Sequence, residues 1–166
     1  MAELKTNAMR MLDAHKIPYQ IHTYTPGPDI DGVSVAQQLG QNVEQVYKTL
    51  VTRGKHSYFV FVIPVAYELD LKKAAKAVGE KSVAMIPVKE INGVTGYIRG
   101  GCSPIGMKKA YVTVIDAHAQ SLPTIIVSGG RIGCQIEIQP SLLCQQVHAQ
   151  YADLLMDEAE NASKPK

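Results

Sequence analysis

The stretch Val46-Tyr47-Lys48-Thr49-Leu50-Val51-Thr52-Arg53-Gly54-Lys55-His56-Ser57-Tyr58-Phe59-Val60-Phe61-Val62-Ile63 decides the fold. Two runs rich in β-branched and aromatic residues, Val46 to Arg53 and Tyr58 to Ile63, are joined across Gly54 and Lys55, which predicts a hairpin. Towards the N-terminus, Thr6 is placed to cap a helix running to about Ala14, with Met9 and Leu12 on its inner face. Tyr19 to Tyr24 alternates as a strand, and Thr25 to Gly32, with two prolines and two aspartates, reads as a loop. Ser34 could cap a short helix through Leu39 that stops on Gly40.

Beyond the hairpin, Asp70 caps a predicted helix over Leu71 to Val78, ended by Gly79. Val83 to Ile86 reads as a short strand and Val88 to Asn92 as a helical turn after Pro87. Val112 to Ile115, Thr124 to Ser128 and Ile136 to Ile138 are further strands, with a glycine turn at Gly129 and Gly130. Pro140 opens a helix to about Ala149. Hairpin-linked strands with scattered helices give an α+β class, not a regular βαβ winding. The 166 residues suit one domain, expected over residues 1–156, with a flexible polar tail over 157–166.

Net charge is +2, too small for a surface that grips long nucleic acid by charge alone, so a DNA-binding role is not expected. Lys72, Lys73 and Lys76 on one helical face, and Lys108 with Lys109, leave room for a local basic patch or simply a solvated charged face. The longest apolar stretch, Tyr58 to Ala66, is about half of what a spanning helix requires, and no secretory signal pattern opens the chain. A cytoplasmic protein without a membrane partner is expected. The three cysteines, Cys102, Cys134 and Cys144, form no CxxC or Cys/His pattern, so reduced thiols and no metal site are expected. No cofactor motif is present either: the glycines fit neither GxGxxG nor a P-loop.

Three features could carry chemistry. Lys48 interrupts an otherwise apolar strand, so it either snorkels to solvent or serves as a cationic donor in a cleft. Gly93 to Gly106 holds five glycines in fourteen residues, either a structural turn or backbone N–H groups converging on an oxyanion. Ser128, before Gly129 and Gly130, is equally suited to cap a turn or touch a ligand. The five histidines are scattered and GxSxG is absent, so spacing assembles no triad around a serine.

Taken together, His22-Thr23-Tyr24, Tyr47-Lys48-Thr49-Leu50, Thr95-Gly96 to Lys109 and Val127-Ser128-Gly129-Gly130 resemble the YbaK/EbsC family of aminoacyl-tRNA deacylases. The resemblance implies the fold of the editing insertion in bacterial prolyl-tRNA synthetases: a mixed, largely antiparallel sheet curled into a partial barrel with flanking helices. It implies catalytic roles for Lys48, Gly100 and Ser128, and substrate contacts from Tyr24, Thr49, Gly101 and Gln135. Relatives often carry an acid where this chain has Gln135, which cannot act as a base. The implied activity is trans-editing: release of cysteine from Cys-tRNA(Pro), with Cys-tRNA(Cys) as a further substrate and prolyl-tRNA synthetase as partner. The implied mechanism uses the substrate's own thiol and needs no triad. The rival readings are a deacylase for another mischarged tRNA, such as Ala-tRNA(Pro), and a non-catalytic module that binds tRNA or a synthetase.

Overall fold

The hairpin forms, and both of its strands are central to the larger of two sheets. The structure is a computed structural model that describes residues 5–25 and 32–157. The loop expected from Thr25 to Gly32 and the tail expected from residue 157 onward lie outside the described residues, apart from Thr25, Gly32 and Asp157. In chain order the elements are α1 (Asn7–Ala14), β1 (Gln20–Thr23), α2 (Gly32–Leu39), β2 (Tyr47–Arg53), β3 (Tyr58–Pro64), α3 (Leu71–Ala77), β4 (Ala84–Met85), α4 (Ile91–Thr95), β5 (Val112–Asp116), β6 (Ile125–Arg131), β7 (Cys134–Ile138), α5 (Pro140–Val147) and β8 (Gln150–Ala152). Short 3-10 turns precede β2, α4 and β6.

The five-stranded sheet has the order β4-β2-β3-β5-β8, and the three-stranded sheet the order β1-β7-β6. The class is α+β, as the sequence suggests, and most pairings are antiparallel; β3 with β5 and β5 with β8 are parallel. Among the described residues the strands form two sheets that do not close into a barrel. They meet at a parallel bridge between Val46 and Ile126.

The near-continuous apolar run of β3 is explained by two cores. Phe59, Phe61 and Ile63 pack with Ala74 and Ala75 of α3, while Val62 joins a core shared with α1, β6, β7 and α5. A strand covered on both faces has no solvent side to mark with polar residues. Alternate residues of β6 and β7, Ile125, Val127, Ile136 and Ile138, fill that second core against Met9, Leu12 and Leu143. Burying each such side chain contributes roughly 1.5–3 kcal/mol. Thr6 caps α1 as expected: its hydroxyl accepts from the Met9 N–H at 3.2 Å and donates to the Gly129 carbonyl, tying the helix to β6.

Three boundaries differ from expectation. The helix expected to be capped by Ser34 begins at Gly32. The Gly129–Gly130 pair is not the hairpin turn; β6 continues through it to Arg131 with an irregular register, and the chain reverses at Ile132 and Gly133, where Gly133 has φ +90°. Strand β8 was not expected, because three residues pairing in parallel with a distant β5 leave no local pattern. Of the three α3 lysines, Lys73 is not free to join a basic patch. Lys73 Nζ is held by the Leu155 carbonyl at 2.6 Å and by Asp153 at 3.1 Å.

Candidate active site

Where β2 and β6 run side by side at Val46 and Ile126 and then part, a cavity of about 160 Å³ opens between the two sheets. Strand β4 pairs only with Thr52 and Arg53, so the early half of β2 forms the cavity's open wall. Adjacent strand residues point to opposite faces, yet Lys48 and Thr49 both reach the cavity because it lies along the strand's edge. From the other sheet, Ser128 of β6 and Gln135 of β7 line it as direct cross-strand partners. Tyr24 is held beside them by its N–H, which donates to the Gly133 carbonyl at 3.0 Å.

Gly100 reaches the cavity on a tight turn. The Gly101 N–H donates to the Ile98 carbonyl at 2.9 Å, and Gly100, at the third position, has φ +86°. With Arg99 outside the left-handed region, this is a type II turn, whose third position favours glycine. The Gly100 N–H has no hydrogen-bond partner among the described residues. Thr95 and Tyr97 brace the approach: the Tyr97 N–H donates to the Thr95 hydroxyl at 3.0 Å and the Tyr97 hydroxyl to the Ile105 carbonyl at 2.6 Å.

Six of the seven residues singled out from the sequence, Tyr24, Lys48, Thr49, Gly100, Ser128 and Gln135, therefore line one cavity. Gly101 is not among the residues that line it. Its N–H is used inside the turn, and a Cβ at this position would lie 2.9 Å from the Arg131 Cα. Its role is to let the turn lie against the β6–β7 hairpin, which sets Gly100 at the cavity. Sequence reasoning missed Cys102 and Cys134 as lining residues. The position of Cys102 inside the glycine-dense stretch was the available signal.

Lys48 is half-buried, and no hydrogen bond or ion pair joins it to another described residue. Burial pulls its pKa below the ordinary 10.5, with the more distant Glu68 carboxylate acting the other way. An unpaired cation held partly out of water opposes folding and is typical of a functional site. Thr49 Oγ1 is also buried, with no hydrogen-bond partner among the described residues. Gln135 Oε1 accepts from Gln41 Nε2 at 2.8 Å, so its amide is oriented by a second amide. Ser128 Oγ accepts from the Gly130 N–H at 3.2 Å and keeps its own proton to donate.

Among the described residues that line the cavity there is no carboxylate and no imidazole. His22 is engaged with Glu137 at 2.7 Å and His118 with Asp116 at 2.7 Å, both elsewhere. Burial pushes the Cys102 thiol up to about 11, so it is protonated at neutral pH and is a poor nucleophile. No group of three His, Cys, Asp or Glu side chains able to hold a metal ion occurs among the described residues. None of their helices is long and apolar enough to cross a membrane. What the lining residues carry is one ammonium, the backbone of Gly100 and several neutral hydrogen-bonding groups. That set can orient an ester and stabilise negative charge on oxygen; nothing in it is a strong base.

Comparison with known proteins agrees with this geometry. A family model, the aminoacyl-tRNA editing domain, matches residues 28–144. A protein of Enterococcus faecalis, provisionally named Cys-tRNA(Pro)/Cys-tRNA(Cys) deacylase EbsC, is 47% identical over 156 residues, which cover 93% of this chain and 95% of that protein. The proline–tRNA ligase of Fervidobacterium nodosum is 28% identical over 106 residues, 64% of this chain but only 18% of the ligase. A crystal structure provisionally described as a trans-editing enzyme for prolyl tRNA synthetase superposes with a TM-score of 0.79 at 25% identity, covering 93% of this chain and 100% of the other.

Proposed function

The chain belongs to the aminoacyl-tRNA editing domain family, and from that premise we propose that it removes cysteine from mischarged Cys-tRNA(Pro), acting in trans, by a reaction in which the substrate thiol is the nucleophile. The observation that carries the mechanism is the make-up of the cavity: a cation and neutral donors, without a carboxylate or imidazole among its described lining residues to activate water. A cysteinyl thiol with an ordinary pKa near 8.5 is about a few per cent thiolate at neutral pH and strongly nucleophilic, so it needs little activation.

In this reaction the thiolate sulfur attacks its own ester carbonyl carbon. A C–S bond forms, the bond from that carbon to the ribose oxygen breaks, and the thiol proton ends on the departing ribose oxygen. The products are a cyclic thiolactone and uncharged tRNA. The Gly100 N–H donates to the carbonyl oxygen as it gains charge, and Lys48 neutralises charge on the ribose oxygen or the terminal nucleotide. Tyr24, Thr49, Ser128 and the Gln135 amide hold the ester in the folded geometry from which attack proceeds. Lys48 forms no covalent intermediate.

Editing of this kind answers a limit on selectivity: a pocket that admits proline rejects a similarly small side chain by only about 1–3 kcal/mol. The +2 net charge offers little for recognition of a whole tRNA, and the similarity to part of a proline–tRNA ligase supports prolyl-tRNA synthetase as the partner that supplies the substrate. The test is the identity of the first product. Rapid quenching with a thiolactone trap such as hydroxylamine, followed by mass spectrometry, is expected to recover the hydroxamate during turnover in excess of the amount formed from untreated ester. Free cysteine as the only early enzyme-dependent product would contradict the thiol-attack reaction.

A further inference from the structure

Gln135 is 7% exposed, and the direction of its amide is set by a residue that does not itself line the cavity. Its strand neighbours fix the face it occupies. Cys134 and Ile136 belong to the core shared with α1 and α5, so Gln135 lies on the other face of β7. Its cross-strand partners His22 and Ser128 share that face. Ile126, two residues before Ser128 on β6, packs there against Val46 and against Ala36 of α2. Helix α2 thus covers this side of the sheet, and Val35 lines the cavity from it.

Gln41 is placed by the end of α2. Gly40, with φ +67°, stops the helix; its N–H donates to the Gln37 carbonyl at 3.2 Å and the Gln41 N–H to the Ala36 carbonyl at 2.9 Å. These are the two bonds of a Schellman motif, which fixes the backbone at Gln41. From there Gln41 Nε2 donates to Gln135 Oε1 at 2.8 Å. The acceptor of Gln135 is occupied from the helix side. Its Nε2 has no hydrogen-bond partner among the described residues. Gln41 Oε1 is buried and also lacks one among them. An orphaned buried acceptor opposes folding, and an apolar side chain of similar length would not carry that cost, so stability does not explain the pair.

We propose that Gln41 is a positioning residue of the editing site: it holds the Gln135 amide with Nε2 turned to the cavity, where it donates to an oxygen of the bound aminoacyl ester. The identity of that ligand rests on the deacylation reading. With the Lys48 ammonium on the facing sheet, Gln135 makes both walls donors, which suits the oxygens of an ester and its ribose.

The experiment measures single-turnover release of cysteine from Cys-tRNA(Pro), at sub-saturating enzyme, from about pH 5 to about pH 8. Wild type is compared with Gln41→Glu, Gln41→Met, Gln135→Met and the double Gln41→Met/Gln135→Met chain. Calorimetry follows, in parallel, binding of the 3′-amide analogue of cysteinyl-adenosine, which does not turn over. A protonated carboxyl can donate as Gln41 does, whereas an ionised one only accepts and draws Gln135 Nε2 away from the cavity. The ratio of Gln41→Glu to wild-type rate is therefore expected to fall about fivefold from the acid to the alkaline end, the size of one hydrogen bond. His22, bound to Glu137 on the same sheet face, and Lys48 are present in both proteins and cancel in the ratio.

Gln41→Met is expected to lower the rate and weaken analogue binding about fivefold at every pH, with a melting temperature no lower than that of the wild type. In the Gln135→Met background it is expected to have no further effect, because it acts through Gln135. A ratio for Gln41→Glu that stays flat with pH would overturn the proposal, as would a Gln41→Met loss that persists in full without Gln135. A wild-type chain that releases no cysteine, yet binds the analogue more tightly than Gln41→Met does, would strike the deacylation reading and leave the placement of Gln135 standing. Absence of both turnover and analogue binding in the wild type would overturn the two together.

Discussion

Replacement of Lys48 by methionine is expected to lower the rate of Cys-tRNA(Pro) deacylation about 100-fold, in the range seen when one charge-stabilising donor is removed from an active site. The same substitution is expected to raise the melting temperature. Lys48 is half-buried with no partner among the described residues, and burial lowers its pKa from 10.5. A lysine whose pKa is lower in the folded state binds its proton less tightly there than in the unfolded chain. Its charge therefore opposes folding at neutral pH, and stability rises with pH between the folded pKa and 10.5. The advantage of the Lys48→Met protein over the wild type should accordingly narrow as the pH is raised towards 10. Denaturant melts across that range, with single-turnover deacylation at pH 7, measure both effects. Activity retained within threefold would remove Lys48 from the reaction, and lower stability in the variant would mean that its charge is compensated in the fold.

Gly101→Ala is the substitution from which we expect the largest loss of stability at the site. A methyl group there would meet the Arg131 Cα at 2.9 Å and the Ile132 nitrogen at 3.0 Å, both backbone atoms that cannot swing aside. Overpacking of this kind costs about 1–3 kcal/mol. Because the Gly101 N–H also closes the turn to Ile98, relief of the clash displaces Gly100 from the cavity. Deacylation is therefore expected to fall about tenfold or more in molecules that remain folded, since an ångström of misplacement at an active site has effects of that size. Urea denaturation and kcat measured below the transition test the two halves. A midpoint equal to that of the wild type would show that the hairpin yields to the methyl group and that the contact does not position the turn.

The central hairpin was legible because its strands carry a dense apolar pattern around a polar turn, and Lys48 was legible because it breaks that pattern. The helix cap at Thr6 and the helix stop at Gly40, with φ +67°, follow from local chemistry and were found where the residue types put them. What local pattern did not carry was long-range placement. Ser128 and Gln135 face each other only because β6 pairs with β7 in one register, and Gln41 orients Gln135 from 94 positions away. The pair Gly129 and Gly130 looked like a turn, but the strand accommodates it as an irregularity in register, and the reversal falls on Gly133. Nor does local pattern separate two neighbouring glycines: consecutive glycines suggest exposed N–H groups, whereas here Gly100 lines the cavity and the Gly101 N–H closes a turn packed against Arg131. The assignment of individual roles leaned on the family resemblance, since spacing alone left Lys48 and Ser128 each with two readings.

The central claim, that the substrate's own thiol does the work, is tested most directly by comparing single-turnover release of cysteine, serine and alanine from the same tRNA(Pro). The account predicts rapid release of cysteine, with serine and alanine released at the rate of spontaneous ester hydrolysis. Serine has a far weaker nucleophile and alanine none, and the cavity's described residues supply no base to activate water. Enzyme-dependent release of alanine as fast as that of cysteine would contradict it.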